Sequence, residues 1–192
     1  RTAPSDARGG QILADITKDR KVKSVAITYT NNDYGKGLAD VYAAAVKAHG
    51  IKVTIVSAHE DGKADYSSEV ATLASAGGDA VAVIGYLDQG GKGIIQGSLD
   101  SGAFDKFILS DGMIGDSLTD AFGKDLNKSF GSMPGSMNKK TAGTFASVAK
   151  AAGIDSSGPY TGESYDAGAL IVLAMQAGGS ADRASIAKNV MD

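Results

Sequence analysis

Val22-Lys23-Ser24-Val25-Ala26-Ile27-Thr28-Tyr29-Thr30-Asn31-Asn32-Asp33-Tyr34-Gly35-Lys36-Gly37-Leu38 decides how this chain is read. The apolar run 22–30 predicts a strand, and the polar, glycine-containing stretch 31–37 predicts the loop that follows it. From 37 to 49, Leu38, Val41, Tyr42, Ala45, Val46 and His49 recur at the i, i+3, i+4, i+7 spacing of a helix with one buried face. A strand that ends in such a loop and feeds a helix is where open α/β sheets take their ligands. The loop also places an aromatic ring, Tyr34, at that edge.

The same beat continues along the chain. Strands are predicted at 52–58, 80–86, 107–110 and 129–133, and helices at 9–18, 66–76, 91–101 and 116–126. Ala80-Val81-Ala82-Val83-Ile84 is apolar on both faces, as strands of a parallel sheet covered on both sides are. Right-handed βα crossovers then give an α/β lobe with a doubly wound parallel sheet. Asp65 and Asp116 are expected helix N-caps, Gly50, Gly77 and Gly102 expected helix stops, and His49 suits a last helical turn.

Past residue 139 the pattern changes. Helices are predicted at 140–152, 163–177 and 182–191 with no strand between them. Ala169-Leu170-Ile171-Val172-Leu173-Ala174-Met175 is apolar around the whole helix and needs burial on most sides. The expected organisation is one α/β lobe with a leading crossover segment at 1–135, and helices at 136–192 that serve a second lobe absent from this chain. Burial against another copy of the chain is the alternative.

Composition narrows the function. The chain has 192 residues, 43% of them hydrophobic, enough for a core. Its formal charge of −3 comes from interspersed acids and bases, and the absence of a basic stripe argues against nucleic acid. The longest apolar run, 167–177, is shorter than the roughly 20 residues a bilayer span needs. Without cysteine there are no disulfides or thiolate metal sites. Arg1-Thr2-Ala3-Pro4-Ser5-Asp6 has neither the basic nor the apolar region of a signal peptide.

Several residues are candidates for a site, each with a plainer reading beside it. Gly35-Lys36-Gly37 is neither a dinucleotide fingerprint, since position 40 is Asp40, nor a phosphate loop; its glycines suit a tight turn. Tyr34 reads as a binding wall or as a half-buried surface residue. Tyr86 ends a strand, ahead of the expected loop Leu87-Asp88-Gln89-Gly90-Gly91, and falls at the same sheet edge, which favours a binding role for the pair. Asp111 ends another strand, where it can accept from a ligand ammonium or hydroxyl or simply belong to an Asp-Gly turn. His59, beside Glu60 and Asp61, is expected in a solvated loop. No nucleophile elbow, metal-ligand spacing or cofactor motif is present, which favours a binding protein over an enzyme.

These residues together resemble a known family. The chain is similar to extracytoplasmic solute-binding proteins of the leucine/isoleucine/valine-binding type, which deliver ligand to ABC importers. Asp33-Tyr34-Gly35-Lys36-Gly37 matches the family's D-Y-G-x-G turn, and Asp65-Tyr66 a frequent D-[FY]. The first six residues resemble the crossing from first lobe to second, and Gly158-Pro159-Tyr160 with Glu163-Ser164-Tyr165-Asp166-Ala167 resembles the helix that returns. The resemblance implies two lobes closing on a small ligand, often an amino acid, outside the cytoplasm and without a cofactor. It implies that Tyr34 and Tyr86 form second-lobe walls, with Leu87 able to take the place of Tyr86. It sets Asp111 against the ligand's ammonium and Tyr160 near the cleft on the returning segment. The importer's membrane subunits are the implied partner. A ligand-sensing lobe of a regulator or receptor, or an α/β enzyme lobe, would share the architecture.

Overall fold

The computed structural model describes residues 2–135 and 139–191. They form two compact units, Ser5–Met133 on the one hand and residues 2–4 with 134–191 on the other. The boundary expected at 135/136 falls beside residues 136–138, which lie outside the described residues, as does Arg1.

The first unit follows the alternation read from the sequence: α1 Asp6–Asp19, β1 Ser24–Thr30, α2 Asp33–Ala48, β2 Lys52–His59, α3 Ser67–Ala76, β3 Ala80–Ile84, α4 Lys92–Ser101, β4 Phe107–Leu109, α5 Asp116–Phe122 and β5 Phe130–Gly131. The strands form one sheet in the order β2-β1-β3-β4-β5, and every neighbouring pair is parallel. Period-2 alternation divides the core. Val25, Ile27, Ala82 and Ile84 pack with Leu13 of α1 and Leu38, Tyr42 and Val46 of α2. Ala26, Val81, Val83, Phe107 and Leu109 point the other way, onto Leu73, Ile94, Ile95 and Phe122 of α3, α4 and α5. Burial on both faces is why these strands read as unbroken apolar runs.

Helix boundaries differ in informative ways. Helix α2 starts at Asp33, four residues before the predicted start at Gly37, because the Asn32 side chain caps it, accepting the Gly35 N–H at 2.9 Å. Tyr34 is therefore in a helical first turn and not in a loop. Gly35 lets that turn close on β1: a Cβ there would lie 2.1 Å from the Thr30 carbonyl oxygen. Leu87–Gly91, expected as a loop, is a π-helical turn leading into α4. The helix expected at 116–126 breaks at Gly123, whose φ is +46°, into α5 and a 3₁₀ turn, Gly123–Leu126. Asp116 is the first residue of α5 and not its cap, a position held by Gly115. Asp65 is not the cap of α3 either, a position held by Tyr66, although its carboxylate accepts the Ser67 N–H at 3.1 Å. Gly50, Gly77 and Gly102 all take positive φ after helices, as expected.

The second unit contains α6 Lys139–Ala151, α7 Thr161–Gly178 and α8 Arg183–Asn189. Helices α7 and α8 approach closely at Gly178, where a Cβ would lie 2.2 Å from Ser185 Oγ. Phe145 of α6 and Tyr165 of α7 hold their ring centroids 5.3 Å apart. Within α7 only Ala174 is buried, while Leu170, Ile171, Val172 and Leu173 are 43–61% exposed.

Candidate functional site

The sheet order creates a crevice. From β1 the chain passes to β2 on one side, then returns to set β3 on the other. The loops leaving β1 and β3 therefore diverge, and open α/β sheets bind ligands between such loops, at the carboxyl ends of the strands. Tyr34 opens α2 just after β1, and Tyr86 follows β3 by two residues.

The two rings stack on each other, with centroids 5.4 Å apart and planes 28° apart. The Tyr34 hydroxyl donates to Asp111 Oδ1 at 2.7 Å and lies 3.2 Å from Ser110 Oγ. Ser110 is 1% exposed, and its Oγ accepts the Gly85 N–H at 3.3 Å, tying the end of β4 to the end of β3. Asp111 opens a 3₁₀ turn, Asp111–Met113, so the turn reading of this residue holds. Gly112 makes the approach possible, since a Cβ there would lie 2.4 Å from the Gly85 carbonyl oxygen. Burial above all pushes the Tyr34 phenol well up from its ordinary value; Ser110 opposes this and Asp111 adds to it. Tyr34 is thus a neutral donor throughout the physiological range, and it orients the carboxylate.

Tyr34, Tyr86 and Asp111 are each half-buried at one edge, as the sequence leads one to expect. Leu87 is 6% exposed and packs into the core, so Tyr86 carries the ring at this edge. The fourth candidate is Tyr160. It belongs to the second unit and precedes α7 with φ +64°. The edge trio makes an aromatic shelf with a carboxylate at one end. It can cover an apolar group and accept N–H or O–H donors. It holds no nucleophile–base pair.

Sequence reasoning missed His59. The residue is not in a solvated loop: it ends β2 and is 1% exposed. Its Nδ1 lies 2.8 Å from Thr28 Oγ1, and its buried Nε2 has no partner. Burial lowers its pKa, against the opposite pull of Asp61, Glu69 and Glu60. Thr28 and Thr30 were the available signal, since two polar residues at period 2 inside an apolar strand require a polar neighbour on that face. Among the described residues no cluster of three or more acidic or histidine side chains could hold a metal, and no helix is long and apolar enough to cross a membrane.

The periplasmic binding protein family matches residues 1–191. The chain belongs to that family. It is one of solute-binding proteins and not of enzymes. A Leu/Ile/Val-binding protein homolog 1 of Brucella melitensis biotype 1 is 29% identical over 180 residues, covering 93% of this chain and 47% of the relative. A type 1 periplasmic binding protein from Bordetella pertussis Tohama I superposes with a TM-score of 0.80 at 22% identity, over 96% of this chain and 53% of that one. The branched-chain amino acid transporter substrate binding protein LivJ of Streptococcus pneumoniae, solved with isoleucine, gives 0.75 at 19% identity, over 98% and 54%. The two structures establish the fold: this parallel sheet with its helices is that of a type I periplasmic binding protein lobe. The chain spans about half the length of these relatives.

Proposed function

We propose that the protein containing this chain binds a small amino acid, or a similar amine, between the Ser5–Met133 lobe and a second lobe, and delivers it outside the cytoplasm to an ABC importer. The observation that carries the reading is the Asp111 carboxylate, held by Tyr34 at the end of an aromatic shelf, at the sheet's carboxyl edge. A carboxylate there suits an ammonium, and the stacked rings suit an apolar side chain. Membership of the periplasmic binding protein family supports solute capture and an extracytoplasmic setting. The names of the relatives support a branched-chain amino acid in particular. Residues 1–135 act in this reading as the second lobe, with Tyr160 and the helices of 136–192 leading back to the first.

Calorimetry of the intact protein against leucine, isoleucine, valine and an aromatic carboxylate tests the proposal. A charge-assisted contact contributes about 1.5–3 kcal/mol, so Asp111→Ala should weaken an amine ligand roughly ten- to a hundred-fold. Unchanged affinity would remove Asp111 from the site. Preference for the aromatic carboxylate would overturn the amine reading.

A further inference from the structure

Beside the aromatic shelf, on the α3 side of the sheet, lies a second polar cluster. Thr28, Thr30 and His59 are each 1% exposed, and Asp61 follows two residues after His59. Thr28 holds His59 Nδ1 at 2.8 Å, and Thr30 donates its hydroxyl to Asp61 Oδ2 at 2.6 Å. Two buried atoms in the cluster are left without partners: His59 Nε2 and Asp61 Oδ1. A buried polar atom with no partner is costly, and two in one cluster call for an explanation.

The cluster supports the turn that carries Tyr86. A Cβ built on Gly85 would lie 3.2 Å from His59 Nε2, and one on Gly90 would lie 3.4 Å from His59 Cδ2. Tyr66 packs edge-on to the imidazole at 6.2 Å, and its hydroxyl lies 3.0 Å from the Glu60 carbonyl and 2.9 Å from that of Gln89. The Gly62 N–H also donates to the Gln89 carbonyl. One turn, Leu87–Gly91, is thus fastened to the segment directly after His59, and Asp61 is the residue before the fastening amide.

We propose that His59 and Asp61 form a proton-operated clamp, which fastens the Leu87–Gly91 turn to the sheet edge while His59 is neutral and loosens it when His59 takes a proton. A neutral imidazole has one donor and one acceptor nitrogen, whereas an imidazolium has two donors. Thr28 accepts one of them. The second, on Nε2, needs an acceptor, and Asp61 Oδ1 is the unpartnered one in the cluster. Drawing that oxygen to Nε2 pulls the carboxylate from Thr30 and shifts the Asp61–Gly62 peptide, and the Gly62 bond to Gln89 is lost.

The charged groups around the imidazole agree with this. Asp61 and Glu60 on the following segment and Glu69 on α3 favour the proton, while burial opposes it more strongly. Lys63 is paired with Glu69 at 2.5 Å, and on the turn itself Asp88 is paired with Lys92 at 2.5 Å. The His59 pKa is lowered from 6.5, so the fastened state takes up its proton only below that value. The loosened state takes it up nearer 6.5, and between the two values loosening becomes up to about tenfold easier per pH unit of acidification. The inference depends on the sheet edge alone and not on which ligand the shelf takes.

Hydrogen exchange of the intact, ligand-free protein tests it, with NMR titration of the His59 imidazole. After correction for intrinsic exchange, the Gly62 and Gly91 amides should lose up to about tenfold protection per pH unit below 6.5, in step with His59. His59→Gln should keep protection at neutral pH and remove its pH dependence, whereas Asp61→Asn, which takes away a charge that favours the proton, should keep the dependence and move it and the His59 titration together to lower pH. Protection independent of pH, or a dependence that survives in folded His59→Gln, overturns the clamp. If His59→Gln fails to fold, Asp61→Asn decides: a dependence that does not move with the His59 titration overturns the clamp.

Discussion

Helices α2 and α7 have 16 and 18 residues, and both are rich in alanine, valine and leucine. Helix α2 buries Leu38, Ala39, Tyr42, Ala43 and Val46 to 7% exposure or less within its own unit. Helix α7 leaves four consecutive large apolar side chains at 43–61% exposure. The difference lies in supply. The stripe on α2 matches a sheet face made from neighbouring strands in the same chain. The apolar belt of α7 has no strand beside it in sequence, and the chain spans about half the length of its relatives. A striped helix announces one buried face, whereas a helix apolar all round announces a demand for cover that the described residues do not meet.

The largest expected effect tests that contrast directly. Leu173→Asp should be nearly silent in this 192-residue chain, within about 0.5 kcal/mol, as at any exposed position. In the intact protein the same change should cost several kcal/mol, because burying leucine contributes about 1.5–3 kcal/mol and burying an unpaired carboxylate adds a desolvation penalty. Denaturant midpoints of the two forms measure the difference. Equal, small effects in both would show that α7 faces water in the intact protein too.

A smaller contrast lies inside α2. Gly35 and Gly37 are two residues apart, yet a Cβ at 35 meets the Thr30 backbone at 2.1 Å and one at 37 meets nothing within 4 Å. Gly35→Ala should destabilise by about 1–3 kcal/mol, since the whole first turn must move off β1. Gly37→Ala should stabilise by up to about 1 kcal/mol through helix propensity. Thermal melts showing the same sign for both would mean that the turn is not packed on β1 as described.

That pair also shows what the sequence could and could not convey. Strands and helices of the lobe were legible because burial on both faces of the sheet writes continuous apolar runs, and helix stops write glycines. The Tyr34, Tyr86 and Asp111 grouping was legible because each follows the end of a parallel strand. The start of α2 was not. It depends on Asn32 turning its side chain back to Gly35, a local contact that competes with the loop reading of the same residues. His59 was not legible either, because Glu60-Asp61-Gly62 after it has the composition of a solvated turn while the burial comes from Thr28 and Gly85, distant in sequence, and from Tyr66 beyond that turn. Leu87–Gly91 has the composition of an open loop, yet it is a helical turn whose Gly90 and Gly91 lie so close to Tyr66 and Met113 that a Cβ at either would clash.

The smallest effect is expected at the opposite end of the sheet, where the lobe that owns its core carries a pH-linked contact. Asp79 stands just before β3, and its Oδ2 accepts the N–H groups of Lys23 at 2.7 Å and Ser24 at 3.1 Å, joining the start of β3 to the start of β1. The Lys23 N–H chiefly, with help from Ser24 and against some burial, holds this carboxyl below its ordinary value of 3.8. The folded form therefore binds the proton more weakly than the unfolded form. Its stabilisation is fully present above 3.8 and is lost as pH falls through the lower folded value. Asp79 is exposed, so solvent screening keeps the contribution under about 1 kcal/mol. Asp79→Asn retains an acceptor oxygen but not the charge. Urea midpoints of the intact protein and the variant should differ slightly at neutral pH and converge in acid. A difference that stays constant down to the acid limit would assign the effect to geometry alone and remove the charge from the account.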